Sequence, residues 1–410
     1  MKIKDIIARE ILDSRGNPTV EVDMILENNL IATASVPSGA STGSKEALEL
    51  RDKDARYHGK GVLKAIENIN TIIKPALIGV ILNQVVVDKK LLELDGTENK
   101  TNLGANATLA VSLAALKVGA KLQNKSLYEY VSNGKVGMPL PMVNIINGGA
   151  HADNNLDVQE FMIIPAVKTF KEKIRCASEV FHTLKELLSA RGLATSVGDE
   201  GGFAPKLKNN EEALTLIVEA IKNSNYEPGK DVFIALDVAA NEMYNEKTND
   251  YNLDGEKVSA DKLMQYYIML VNKYPIISIE DPFFESDFES MAVFTKIAGS
   301  KLMIVGDDYF VTNKKYLEKA IQERVGNSIL LKANQIGTVT EMVDTILLAK
   351  KHDYKTIISH RSGETEDTFI ADLAVGFNIP YIKTGSMCRG ERIAKYNRVM
   401  KIEEELTKKR

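Results

Sequence analysis

Between Val232 and Ser386 the chain repeats one phrase six times: an apolar run of strand length, a polar residue at its carboxyl end, then a stretch of helical spacing. The runs are VFIALDVA with Asp237, IISIED with Glu280, LMIVGDD with Asp307, NSILLKANQIG with Lys332, TIISHRSG with Ser359, His360 and Arg361, and YIKTGS with Lys383. The fourth is the clearest. Ser328 to Leu331 reads as a buried strand, Lys332 as its polar tip, and Thr338 with Glu341 as a capping box ahead of Val339, Met342, Val343, Ile346 and Leu347. One polar residue at a strand end reads as an ordinary rim ion pair. Six in succession predict a barrel of parallel strands with its chemistry on one face.

Upstream, MVNIINGG and VQEFMIIP read as two more strands, joined by AHADNNLD with His151. That loop is too short for a parallel crossover, so the barrel is expected to begin with an antiparallel pair. Helical stretches Lys171 to Arg191 and Asn210 to Asn223 follow, and between them SVGDEGGFAP sets Asp199 and Glu200 among glycines. The expected fold is α/β: a TIM-like barrel built as ββαα followed by six βα units, preceded by a smaller α+β domain.

That smaller domain is expected over residues 1–135, with the barrel over 136–410 and the prolines of MPLPM at the boundary. Residues 3 to 36 alternate as a three-stranded meander (IKDIIAREIL, TVEVDMIL, LIATASV), and Gly61 to Ile78, Asn106 to Leu122 and Ser126 to Ser132 have helical spacing. Pro37 to Ser44, PSGASTGS, has no packing power. It reads either as a flexible connection or as a closing lid.

Composition limits the function classes. A net charge of -4 gives no basic footprint, so nucleic acid is not expected as a primary partner. The two cysteines, Cys176 and Cys388, are far apart and suggest free thiols in a reducing compartment. The opening MKIKDIIAREILDSRG lacks the apolar core of a signal peptide, and no apolar run is long enough for a membrane span. A cytoplasmic protein is the expectation.

Asp237, Glu280 and Asp307 come from consecutive barrel units, and three carboxylates converging on one point repel unless a cation lies between them. All-oxygen ligation suits Mg²⁺. Lys332, on the next unit, is then a candidate base, since a dication, burial and nearby Lys383 all disfavour its ammonium form. Arg361 with Ser362 offers a fork and a hydroxyl to a phosphate. Glu200, on its glycine loop, is a candidate general acid. The pairing of a metal with a lysine base is the known device of the enolase superfamily and is carried over from it.

The resemblance extends further, over essentially the whole chain. DSRGNPTVEV, PSGASTGS, DGTENKTNLGAN, INGGAHADNN, VQEFMI, GDEGGFAP, SIEDP, VGDD, LLKANQIGT, SHRSGETEDTFIADL, IKTGS and RIAKYN, in this order, are similar to the glycolytic enolase family. Ala150, Pro282 and Ala333 differ from some members but replace no residue with an assigned role. The resemblance implies reversible dehydration of 2-phosphoglycerate to phosphoenolpyruvate with two Mg²⁺ per active site. Asp237, Glu280 and Asp307 would bind the first ion, and Ser41 would help bind the second. Lys332 would take the C2 proton and Glu200 would protonate the departing hydroxyl, with Glu160 and His151 assisting. Lys383 would face the substrate carboxylate, and His360, Arg361 and Ser362 the phosphate. It also implies a homodimer or larger homo-oligomer. Some members are reported to bind plasminogen at cell surfaces or to join RNA-degrading assemblies, which extends the expectation to a secondary surface or secreted pool. Against a plasminogen role, the terminal KKR ends in Arg410 rather than lysine. The alternative enzyme reading is a superfamily member acting on a carboxylate without phosphate.

Overall fold

The structure, a computed structural model, describes residues 1–40 and 43–408, so Ser41 and, in the terminal KKR, Lys409 and Arg410 lie outside the described residues. Strands β1 (Ile3–Leu12), β2 (Pro18–Leu26) and β3 (Ile31–Ser35) form the expected antiparallel meander. Alternate residues Val20, Val22, Met24 and Leu26 turn inward. Helix Ala105–Leu122 packs on β2 and β3 with one side and on the elements following Lys332 with another. Its run of alanines permits that double burial, because small side chains let backbones approach closely from two directions.

The segment expected as one helix from Gly61 to Ile78 is Leu63–Asn68, a π-helical turn at Ile69–Ile73, and Lys74–Leu77. Pro75 has no N–H to give to the preceding turn, which is the local reason for the irregularity. A further helix, Gln84–Asp95, is not announced by apolar periodicity. Its buried stripe alternates Val87 and Leu91 with Asp88 and Asp95, and Asp88 accepts the Thr340 backbone N–H of a barrel helix at 2.9 Å.

The barrel is closed and eight-stranded. Its members are β4 (Leu140–Asn147), β5 (Glu160–Pro165), β6 (Val232–Asp237) and, after a short hairpin sheet of β7 (Tyr244–Asn245), β8 (Asp250–Leu253) and β9 (Glu256–Val258), strands β10 (Ile276–Glu280), β11 (Met303–Gly306), β12 (Ser328–Leu331), β13 (Lys355–Ser359) and β14 (Tyr381–Lys383). Strand β5 runs antiparallel to both β4 and β6, and β14 pairs parallel with β4 to close the ring. The antiparallel start therefore costs no closure. A single reversed strand simply presents its amino end at the catalytic face.

Met142, Met162, Ile164, Ala235, Val305, Leu330 and Ile357 fill the barrel interior as a separate buried cluster. Each fully buried side chain of this size contributes about 1.5–3 kcal/mol.

Gly337 shapes the exit from β12. Its φ of +94° lies where side chains are disfavoured, and its N–H closes the short turn Ala333–Ile336 on Ala333 O at 3.0 Å. A Cβ there would lie 3.1 Å from Thr108 Oγ1, which itself donates to Gly337 O at 2.9 Å. Gly337→Ala is therefore expected to cost about 1–2 kcal/mol, read as a lowered urea midpoint. An unchanged midpoint would show that this turn relaxes freely.

Candidate active site

Period-two geometry carries the polar tips to the barrel mouth. Ala235, Val305, Leu330 and Ile357 point into the interior, so Asp237, Asp307, Lys332 and Ser359, each two residues on, continue the same face one layer higher. On the reversed strand β5 the same rule runs backwards, from Met162 to Glu160. Glu160 stands opposite Asp237 in register, and Asp237 opposite Glu280. One buried, polar cavity is lined by His151, Glu160, Glu200, Asp237, Asp307, Lys332, His360, Arg361, Ser362 and Lys383. Of the expected site residues only Glu280 sits just behind this lining, and Ser41 is outside the described residues.

Lys383 is the hub of one wall. Its Nζ donates to Asp237 Oδ2 at 2.9 Å and to both Glu280 oxygens at 3.0 Å, and lies 3.4 Å from Glu160 Oε1. Burial pulls its ammonium down, but Asp237, Glu160 and Glu280 more than reverse this and hold it well above the usual lysine range.

Lys332 is bonded through Nζ to Asp307 Oδ2, while Gln335 Nε2 donates to Asp307 Oδ1 at 2.8 Å. The partial neutrality expected of Lys332 depends on a dication beside it, and these contacts by themselves favour the ammonium. Burial, the largest influence, lowers its pKa, and Arg361 and Lys383 add to that, yet the carboxylates around it, Asp307 foremost with Glu280, together leave the net shift upward. Asp281, which the motif reading passed over, accepts the backbone N–H groups of Asp307 and Asp308, each at 2.9 Å. The adjacent acidic pair in VGDD and the last acid of SIEDP were the signal for it.

Glu200 and Glu160 share His151, whose Nδ1 is 3.6 Å from Glu160 Oε1 and 3.8 Å from Glu200 Oε1. They titrate in opposite senses. Burial and the neighbouring Glu200 push Glu160 well above the usual carboxyl range. Burial also pushes Glu200 up, but His360, His151 and Arg392 reverse it and leave Glu200 well below that range. A proton donor must carry a proton, and these opposite shifts favour the ionised form of Glu200 and the protonated form of Glu160.

On the third wall Arg361 Nη1 donates to Glu46 Oε2 at 2.9 Å and to Asn334 Oδ1 at 3.1 Å, with Nη2 3.2 Å from Glu46 Oε1. Ser38 and Gly363 exchange backbone hydrogen bonds of 2.7 and 2.8 Å, which ties the start of PSGASTGS to SHRSG. Gly39 is required there, because a Cβ would overlap the Arg361 guanidinium.

Among the described residues, the acidic groups whose donor atoms lie within 4.8 Å of one another are His151, Glu160 and Glu200, and Asp281, Asp307 and Asp308. Asp237, Glu280 and Asp307 do not form such a group. The positive charge between Asp237 and Glu280 is the Lys383 ammonium, and Asp307 is drawn to Lys332. The donor set nonetheless fits a hard divalent cation. Burial together with mutual repulsion holds Glu280 and Asp281 well above the usual range and Asp308 at about 7, so added divalent charge would relieve a crowded set of oxygens.

Comparison with protein-family models gives two matches that together cover nearly the whole chain. Residues 3–131 match the model described as enolase, N-terminal domain, and residues 135–410 the one described as enolase, C-terminal TIM barrel domain.

Proposed function

Since the chain belongs to the enolase family, a family of hydratase-type lyases, we propose that it reversibly dehydrates 2-phospho-D-glycerate to phosphoenolpyruvate. The observation that carries this reading is the placing of Lys332 and Lys383 among Asp237, Glu280 and Asp307, beside the Glu160, Glu200 and His151 cluster that lines the same cavity. Such a site has a base and an acid on different elements, as elimination requires.

Lys332 Nζ takes the C2 proton, and Glu200 gives a proton to the C3 hydroxyl as it leaves. Because the environment favours the protonated form of Glu160, Glu160 is the group that recharges Glu200, with His151 assisting from beside both carboxylates. Lys383 faces the substrate carboxylate, while His360, Arg361 and Ser362 face the phosphate. Two Mg²⁺, one held by Asp237, Glu280 and Asp307 and a second with help from Ser41, would supply the charge neutralisation that makes a proton beside a carboxylate removable.

The test is an absorbance assay for phosphoenolpyruvate from 2-phosphoglycerate. Turnover is expected with Mg²⁺ and absent in excess chelator, and Mg²⁺ alone is expected to raise Tm, by about 2.7 kcal/mol of linkage at a hundredfold excess over its Kd. Full turnover in metal-free protein would sink the assignment. Equal turnover of a phosphate-free analogue would favour the wider superfamily reading instead.

A further inference from the structure

Arg392 belongs to the first turn of the C-terminal helix Gly390–Lys408 and is completely buried, an expensive location for a guanidinium without a task. Its contacts lie behind the wall of the cavity. Nη1 lies 2.6 Å from His360 Nδ1 and donates to Arg361 O at 2.6 Å, and Nη2 donates to Ser362 O at 2.7 Å and Asp199 O at 3.1 Å. It thus grips the loop after β13 and the loop carrying Glu200 at once.

A guanidinium only donates hydrogen bonds. A ring nitrogen 2.6 Å from it must therefore be the acceptor, which makes Nδ1 of His360 the unprotonated nitrogen and leaves the ring's proton on Nε2. Nε2 lies 3.3 Å from Glu200 Oε2. We propose that Arg392 is a positioning residue that locks His360 as the neutral, Nε2-protonated tautomer and so keeps a permanent N–H on the side of Glu200, in electrostatic contact with its carboxylate rather than hydrogen-bonded to it. The opposite tautomer would set a lone pair against a carboxylate and an N–H against a guanidinium, two repulsions at once. An imidazolium would keep the second. Through His360, Arg392 thereby favours the ionised form of Glu200.

The charged groups facing His360 are Glu200 across the cavity, Glu364 on its own loop and Arg392 from the C-terminal helix. Burial first, with Arg392 assisting, pushes its pKa down to about 4 against the two carboxylates. The inference deepens the proposed reaction and rests on it for its consequence, but its test needs no substrate, so the two fail separately.

The measurement is ¹⁵N NMR of histidine-labelled protein, with the His360 signals identified by their loss in His360→Gln. The expected pattern at pH 7 is a protonated Nε2 and a bare Nδ1, unchanged down to about pH 5. A protonated Nδ1 or an imidazolium at pH 7 overturns the proposal, and this reading comes from the unmodified protein whatever the variants do. In Arg392→Met the tautomers are expected to mix and the His360 midpoint to rise by about one pH unit, while Arg392→Lys, which keeps a donor, retains the Nε2-protonated form. A folded Arg392→Met with the original tautomer and midpoint would show that Arg392 only packs.

Discussion

Lys332→Ala is expected to lose both exchange of the C2 hydrogen of 2-phosphoglycerate with deuterated water and formation of phosphoenolpyruvate, each by at least about 10²-fold to 10⁴-fold. Lys332 follows β12 directly, on the inward face set by Leu330, with a part-buried ammonium bonded to Asp307. The other amine lining the cavity, Lys383, is engaged by three carboxylates, Asp237, Glu280 and Glu160, whereas Lys332 is engaged by Asp307 alone. Truncation also leaves Asp307 buried without its cation, so lost stability must be separated from lost chemistry. Circular dichroism at the assay temperature makes that separation. Persistent exchange in a folded Lys332→Ala would remove Lys332 as the base.

Glu200→Gln gives the second large effect and dissects the two steps. The amide keeps the shape and can still meet the Asn144 amide, which donates to Glu200 Oε2 at 3.2 Å, but it has no carboxyl proton to pass on. Product formation is expected to fall by about 10²-fold to 10⁴-fold while C2 exchange continues. Glu160→Gln should behave alike, with exchange intact and product reduced, because the environment favours the protonated form of Glu160. Normal product formation by Glu160→Gln would show that Glu200 is recharged directly from solvent. Exchange that vanished in Glu200→Gln but persisted in Lys332→Ala would reverse base and acid.

The barrel was legible in the chain because its signal is local. An apolar run, a polar end and a capped amphipathic stretch are properties of neighbouring residues, and β12, Lys332, Gly337 and the capped helix Val339–Lys351 appear where the pattern puts them. The antiparallel start was legible for a similar reason, since chain length alone forbids a parallel crossover between β4 and β5. Helix Gln84–Asp95 was not, because its buried stripe carries Asp88 and Asp95, whose partners lie on other elements or in the following loop.

The sequence by itself therefore determined the barrel's strands and capped helices and which residue types stand at the strand ends. Tertiary structure alone decided the charge state of that site. The pKa of Lys332 is drawn upward, against burial, because Asp307 bonds to it from a different barrel unit. Glu160 is shifted upward and Glu200 downward, because His360, His151 and Arg392 reach Glu200 from other segments of the chain. Periodicity is fixed within a few residues, whereas a pKa is the sum of burial and charges from every segment packed around a group, and no local pattern contains that sum.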